Sequence, residues 1–254
     1  MSKNIVYDLC KEAGCDEVYQ LDPNNNDFGS LDTTIQDGTF RIENINSPQL
    51  AIYKVNSIKA APVVIICPGG GYNTIALNKE GTVIAKYLQE QNIATAVLTY
   101  RTPKRRDDAY LDLVNTVNAL KDNAVKWNID VNQIGGIGFS AGGHLIARGA
   151  TTGLLNFSLL IYPAYLNLEE DVAPELTTLD FKQLPPIFIA HSNDDTIHVK
   201  GSKIFSKKAI IYNPKSKFHC YETGGHGYGL YSKGKAIVWP QDAKKWLKEI
   251  LFNQ

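Results

Sequence analysis

The sequence predicts an α/β protein with a mostly parallel central sheet. Three observations support this: short apolar runs alternate with amphipathic stretches, each run is apolar on both faces, and no internal repeat interrupts the alternation. A parallel strand that is covered on both sides has this pattern. The runs are Val63–Cys67, Thr95–Tyr100, Ile134–Phe139, Leu159–Tyr162 and Ile187–Ala190.

The stretches between these runs predict helices on both faces of the sheet. In one of them, Leu113, Val117 and Leu120 recur at three- and four-residue spacing, which forms one buried stripe. Strands that alternate with helices indicate right-handed crossovers. An eight-stranded βα barrel also suits this length, but too few strong strand–helix repeats are present for it. The other predicted helices span about Lys79–Gln91, Gly142–Thr151, Val199–Lys208 and Gln241–Phe252.

The chain length of 254 residues suits one α/β domain, with two small domains as the alternative. Residues 1–38 are rich in Asn and Asp and only weakly periodic, so we expect an N-terminal extension there. Residues 39–254 then form the main domain.

Charge and cysteine content exclude several functions. Lys and Arg number 26, as do Asp and Glu, and the resulting net charge of zero argues against nucleic acid or an anionic membrane as partner. The first residues lack an apolar leader and no 18-residue apolar run occurs, so we expect a cytoplasmic protein. The four cysteines form no Cys-x-x-Cys pair, which predicts reduced thiols and no metal or other cofactor. A Cys10–Cys15 disulfide is the alternative.

A candidate nucleophile follows the third apolar run. Ser140 lies in Gly138-Phe139-Ser140-Ala141-Gly142, a G-x-S-x-G match between a predicted strand and a predicted helix. A sharp turn at this place strains the backbone and exposes the hydroxyl, and the Ala141 N–H at the helix start is free to hold an oxyanion. The alternative is a plain glycine-rich turn that binds phosphate.

A second glycine-rich loop, Gly69-Gly70-Gly71, follows the first apolar run. Three glycines expose consecutive backbone amides with no side chain in the way. A flexible turn or a nucleotide-binding loop is the alternative, although the pattern G-x-G-x-x-G is not present.

A serine nucleophile needs a base, and the base needs a carboxylate. His226 is the preferred base, because it lies among four glycines directly after the last predicted strand. We expect His144 and His219 to have local structural roles. Asp194 and Asp195 follow the last apolar run; Asp195 is preferred as the partner of His226, and Asp194 is expected to cap a helix or face solvent.

These stretches together resemble α/β-hydrolase esterases of the acetyl-xylan-esterase-like and feruloyl-esterase-like group, over about residues 50–250. The resemblance implies a triad of Ser140, Asp195 and His226, and an oxyanion hole from Gly70, Gly71 and Ala141. Tyr72, Tyr228 and Trp239 are candidate walls of a small substrate pocket, although core positions are equally compatible with these residues. The segment from Pro163 to Pro186 is short, so we expect no large lid domain. The matching stretches are Ile65–Tyr72, Leu98–Pro103, Trp127–Asp130, Ile137–Leu145, Asp194-Asp195 and Gly224–Gly229.

The predicted function is therefore that of a serine carboxylic ester hydrolase, which deacetylates small-molecule or oligosaccharide esters. A serine peptidase of the prolyl-oligopeptidase kind has the same residue order, but 254 residues leave no room for its propeller domain. A non-catalytic binding protein on a hydrolase scaffold is the remaining alternative.

Overall fold

The structure, a computed structural model, describes residues 4–33, 37–177 and 183–252. The chain forms two compact units, Met1–Ile134 and Gly135–Gln254. Each unit contains a β-sheet with its own helices, and no closed barrel occurs in the described residues.

The sheet of the first unit has the strand order β1–β4–β7–β5. Strands β5 and β7 are parallel, whereas β4 is antiparallel to both β1 and β7. Every residue of β4, β5 and β7 is buried, and β5 and β7 are strands that the sequence predicted from their apolar runs. The bounds are β1 Glu17–Gln20, β2 Ser30–Asp32, β3 Arg41–Glu43, β4 Gln49–Tyr53, β5 Ala61–Cys67, β6 Thr74–Ala76 and β7 Ala94–Thr99.

A smaller antiparallel sheet, in the order β2–β3–β6, also belongs to the first unit. The predicted helix near residue 79 begins as a π-helical turn over Asn78–Thr82 and continues as an α-helix. The helices of this unit are α1 Ile5–Glu12, α2 Val83–Gln89, α3 Arg106–Asp122 and α4 Ala124–Trp127.

The second unit contains four parallel strands in the order β8–β9–β12–β13. Strand β8 begins in the first unit, and its residues Gly135–Phe139 pair with β9. The bounds are β8 Ile129–Phe139, α5 Ala141–Thr151, β9 Phe157–Ile161, β10 Asn167–Leu168, β11 Asp171–Val172, β12 Ile187–Ser192, α6 Val199–Tyr212, β13 Lys217–Tyr221 and α7 Trp239–Leu251.

The predicted α/β class with a mostly parallel sheet is confirmed, and all five predicted strands are present. The antiparallel strands β1 and β4 were not predicted. Strand β1 lies within the N-terminal extension and pairs with β4, so residues 17–20 are part of the sheet of the first unit. The domain boundary at residue 38 stays a prediction.

The four cysteines are free thiols, so the alternative of a Cys10–Cys15 disulfide is wrong. Cys10, Cys15 and Cys67 are buried. Burial, helped by the neighbouring Cys15, raises the pKa of Cys10 to about 12, which keeps this thiol protonated and unreactive. Within the described part of the chain, no helix has both the length and the apolar character needed to cross a membrane.

Candidate active site

Ser140 lies at the sharp turn between β8 and α5. Its φ of 51° and ψ of −117° fall in a region that non-glycine residues rarely occupy. The turn is held because the Ser140 N–H donates to the carbonyl oxygen of Ile161 on β9 at 3.1 Å. A Cβ atom on Gly138 would lie 2.1 Å from the carbonyl oxygen of Gly142, so glycine is required at 138. The predicted strained strand-to-helix turn is confirmed.

His226 contacts both of its predicted partners. Its Nε2 lies 2.8 Å from the Ser140 Oγ, and its Nδ1 lies 2.6 Å from the Asp195 Oδ2. The loop that carries it has positive φ at Gly225 and Gly227, at 66° and 71°, where glycine avoids strain. The three residues therefore form one line of hydrogen bonds that runs from hydroxyl to imidazole to carboxylate.

Asp195 follows β12, and its side chain is only 3% exposed. Burial by itself raises the pKa of this carboxyl, but hydrogen bonds from His191 and His226 outweigh burial and hold the pKa well below its usual range. Asp195 is therefore a carboxylate at neutral pH, able to accept hydrogen bonds on its oxygens.

His191 is the residue of this site that the sequence interpretation missed. It is fully buried at the end of β12, and its Nε2 lies 2.9 Å from the same Asp195 Oδ2 that His226 contacts. Its Nδ1 lies 2.7 Å from the Ser202 Oγ on α6. Burial lowers the pKa of His191, although Asp195 opposes the shift, so the ring is neutral at neutral pH.

Asp194 is exposed, as expected, but it does not cap a helix. Its carboxylate accepts hydrogen bonds from the Gly224 N–H at 3.1 Å and the Gly225 N–H at 2.9 Å. These two glycines directly precede His226. The two adjacent aspartates thus have different partners: Asp194 binds the backbone of the loop that carries His226, and Asp195 contacts the His226 imidazole.

Comparison with known proteins identifies the fold and the relatives. The BD-FAE family model matches residues 50–161. An acetylxylan esterase from Xylanibacter ruminicola is 29% identical over 221 residues, which cover 74% of this chain and 45% of that protein. The chain therefore spans less than half the length of this curated relative.

Solved structures resemble the chain over nearly its whole length. An acetyl ester-xyloside bifunctional hydrolase from Caldicellulosiruptor lactoaceticus has a TM-score of 0.76 at 26% identity, covering 92% of this chain and 96% of its own. The chain has the α/β-hydrolase fold and is similar to this hydrolase and to the acetylxylan esterase. An esterase from Thermogutta terrifontis shares the fold, with a TM-score of 0.72 at 17% identity and 96% coverage of both chains. These relatives are themselves esterases or hydrolases.

The predicted oxyanion donors lie in two separate segments, the start of α5 and the loop after β5. Ala141 is the first residue of α5, where helix N–H groups have no acceptor within the helix. Gly70 and Gly71 follow β5 in the first unit and have φ of 140° and 65°. The neighbouring Gly69 N–H donates to the Glu80 Oε2 at 2.7 Å and is therefore already engaged. The oxyanion role of Gly70, Gly71 and Ala141 stays a prediction.

The three predicted pocket residues of the hydrolase are all buried. Tyr72, in the first unit, is 1% exposed, and its ring lies 5.8 Å from that of Tyr100. In the second unit, the Tyr228 ring packs 4.4 Å from Tyr162, and the Trp239 Nε1 donates to the Gly229 carbonyl oxygen at 3.0 Å. Such burial is typical of core positions, and the role of these residues as pocket walls stays a prediction.

The remaining three histidines lie outside the line of hydrogen bonds through His226. His144 is fully buried, with its Nε2 3.2 Å from the Glu175 Oε1, and His219 lies on β13 with its Nδ1 3.4 Å from the Asp242 Oδ2. Both therefore have carboxylate partners that are distant in sequence, and their structural roles stay predictions. The His198 ring lies 4.9 Å from the His226 ring, between centroids.

Among the described residues, one group of three side chains has metal-ligand geometry. Ligand atoms of His191, Asp195 and His226 lie within 4.8 Å of one another. All three are joined by the hydrogen bonds given above, so a metal ion would have to displace the protons that now link them.

Proposed function

We propose that this α/β-hydrolase is a serine carboxylic ester hydrolase in which Ser140 is the nucleophile, His226 the general base and Asp195 the orienting carboxylate. The observation that carries the proposal is the line of hydrogen bonds, 2.8 Å and 2.6 Å long, through the two nitrogens of His226. Because the Asp195 carboxylate only accepts, the hydrogen of neutral His226 is on Nδ1, and Nε2 is left to accept the serine proton.

The reaction then has two halves. His226 removes the Ser140 proton while the oxygen attacks the ester carbonyl, and the imidazolium that forms is stabilised by Asp195. His226 returns the proton to the leaving alcohol, which leaves an acyl group on Ser140. Water repeats the sequence, releases the carboxylic acid and restores the serine. Backbone N–H groups of Gly70, Gly71 and Ala141 are the proposed oxyanion donors.

Acetyl esters of small molecules or oligosaccharides are the proposed substrates. The support is the acetylxylan esterase among the relatives and the acetyl ester-xyloside hydrolase among the similar structures. The activity and substrates of the whole protein belong to this proposal as well. The cytoplasmic location stays a prediction, which fractionation of cells that express the full-length protein tests.

Hydrolysis of p-nitrophenyl acetate by wild type and Ser140→Ala tests the nucleophile. We expect Ser140→Ala to lose at least about a thousandfold in kcat, because no hydroxyl remains to attack. Ser158→Ala is the matched control, since Ser158 is a buried serine whose hydroxyl has no hydrogen-bond partner. A fluorophosphonate probe is expected to label wild type and Ser158→Ala but not Ser140→Ala.

Full turnover by a folded Ser140→Ala protein would contradict the assignment. Failure of the wild type to react with the probe would instead favour a non-catalytic protein on this scaffold. A panel of acetylated xylo-oligosaccharides and longer-chain p-nitrophenyl esters tests the substrate proposal, and faster turnover of the longer chains would overturn it.

A further inference from the structure

His191 supplies a second N–H group to the carboxylate that contacts the proposed base. The Asp195 Oδ2 lies 2.6 Å from the His226 Nδ1 and 2.9 Å from the His191 Nε2. Since His191 is fully buried, water has no access to replace this hydrogen bond. The line of contacts continues to the Ser202 Oγ on α6, 2.7 Å from the His191 Nδ1.

The chemistry of the partners fixes the tautomer of His191. A carboxylate oxygen only accepts, so the Nε2 that faces Asp195 carries the hydrogen. Burial lowers the pKa of His191, so the other nitrogen is unprotonated at neutral pH. The His191 Nδ1 is therefore an acceptor, and the Ser202 hydroxyl donates to it.

We propose that His191 is a positioning residue, which sets the orientation and the charge of Asp195 toward His226; the inference rests on the proposed function. A carboxylate with one partner is free to rotate about its last side-chain bond. A second donor on the same oxygen fixes this rotation and keeps Oδ2 aimed at the His226 Nδ1. The same N–H also withdraws charge from Oδ2, so Asp195 attracts the His226 imidazolium less strongly than it would alone.

Other polar groups surround the three residues and are unchanged in His191→Leu and His191→Gln. The His198 ring lies 4.9 Å from the His226 ring, between centroids. The positive charge of Lys203 on α6 helps to lower the pKa of His191 after burial. Asp194 holds the backbone before His226. Tyr228 is buried close enough to both aspartates that their charges, after burial, help to raise its pKa.

Two substitutions separate positioning from packing. His191→Leu keeps most of the volume and removes the donor, whereas His191→Gln returns an N–H group near the place of Nε2. We expect kcat of p-nitrophenyl acetate hydrolysis to fall about tenfold to a hundredfold in His191→Leu, the range that one hydrogen bond to a charged group represents. KM is expected to change little. His191→Gln is expected to recover most of the loss.

The pH profile of kcat/KM is a second measurement, and a loss of packing alone would not change it. Without the His191 donor, Asp195 holds more negative charge and stabilises the imidazolium of His226. The acidic limb of the profile is therefore expected to move to higher pH in His191→Leu and to stay near wild type in His191→Gln. His219→Gln, a histidine outside this network, is the control and is expected to behave as wild type.

The inference is overturned if folded His191→Leu has the kcat and pH profile of wild type, or if His191→Gln is as impaired as His191→Leu. Should His191→Leu not fold, nitrogen-15 NMR of wild-type imidazoles decides: His191 protonated on Nδ1, or on both nitrogens at pH 7, overturns it. Fluorophosphonate labelling of Ser140 separates the two proposals, since its absence in wild type is a failure of the proposed function and not of the His191 hydrogen bonds.

Discussion

Two buried aspartates, one in each unit, differ in the side chains that contact the carboxylate, and this difference predicts different roles for them. Asp112 on α3 is 1% exposed, and its Oδ1 lies 2.7 Å from the Arg101 Nη2. Asp195 is 3% exposed and contacts two imidazoles. Burial raises the pKa of Asp112 in spite of Arg101, whereas histidine hydrogen bonds lower the pKa of Asp195 in spite of burial.

The difference lies in which partner exchanges protons. A guanidinium stays charged at every relevant pH, so the Arg101–Asp112 pair is a fixed structural contact. An imidazole gains and loses a proton near neutral pH, so the contacts of Asp195 are able to change during a reaction. The comparison therefore predicts that loss of Asp112 affects stability and loss of Asp195 affects catalysis.

Asp195→Asn gives the largest expected effect. An amide at 195 offers an N–H where His226 needs an acceptor, which favours the wrong tautomer, and other Ser-His-Asp triads lose about 10⁴ in kcat this way. Asp112→Asn is the matched control, and its folded fraction is expected to retain wild-type kcat. The measurement is p-nitrophenyl acetate hydrolysis per folded protein, and equal losses in both variants would break the comparison.

Arg101→Leu tests whether the Arg101–Asp112 ion pair stabilises the fold. It leaves Asp112 buried without its cation, which typically costs about 3–5 kcal/mol, and the 21% exposure of Arg101 favours the lower end of that range. Urea unfolding measures the loss in the free energy of unfolding. The double variant Arg101→Leu/Asp112→Leu is expected to recover part of it, and a double variant less stable than Arg101→Leu would contradict an unpaired buried charge as the cause.

Acidification is expected to lower the free energy of unfolding in two steps, the first from buried histidines and the second from Asp195. Burial lowers the pKa of both His191 and His198, so the unfolded chain binds protons that the native chain resists. The free energy of unfolding is therefore fully present above pH about 6.5, the unperturbed histidine value, and falls as pH drops below it. The lowered pKa of Asp195 adds a later loss below about pH 4. Urea titrations at several pH values measure both, and His191→Gln is expected to show a smaller first loss.

Asp194→Ala gives the smallest expected effect. It removes the acceptor for the Gly224 and Gly225 N–H groups, so the loop that carries His226 is less firmly held. We expect kcat to fall a few-fold and the free energy of unfolding to fall by about 1 kcal/mol. Asp194→Asn retains an acceptor oxygen and is expected to lie between Asp194→Ala and wild type. An unchanged kcat in Asp194→Ala would show that the loop keeps its position without Asp194.

Much of this arrangement was predictable because it depends on local pattern. Buried parallel strands read as apolar runs, and Ser140, Asp195 and His226 each follow such a run or the last strand. The edge strand Glu17–Gln20 was missed, because its residues are only half-buried and give no apolar run. Its pairing with β4 depends on a partner about thirty residues away, which local periodicity does not encode.

The contact between His191 and Asp195 was missed although a signal exists in the sequence. An imidazole that ends the run Ile187–Ala190 lies on a fully buried strand, and a buried polar ring needs hydrogen-bond partners. The aspartate four residues later was the available partner. The sequence favoured Asp195 over Asp194 as the partner of His226, and the Asp195 Oδ2 lies 2.6 Å from the His226 Nδ1.

The left-handed backbone of Ser140 has a consequence for how this position evolves. A serine held at φ 51° is less stable there than glycine, which adopts such angles without strain. Selection for stability alone would therefore favour glycine at 140, and the proposed need for a hydroxyl opposes it. A descendant that lost the proposed reaction would be expected to tolerate glycine here, so the residue at 140 would indicate whether a lineage retains the nucleophile.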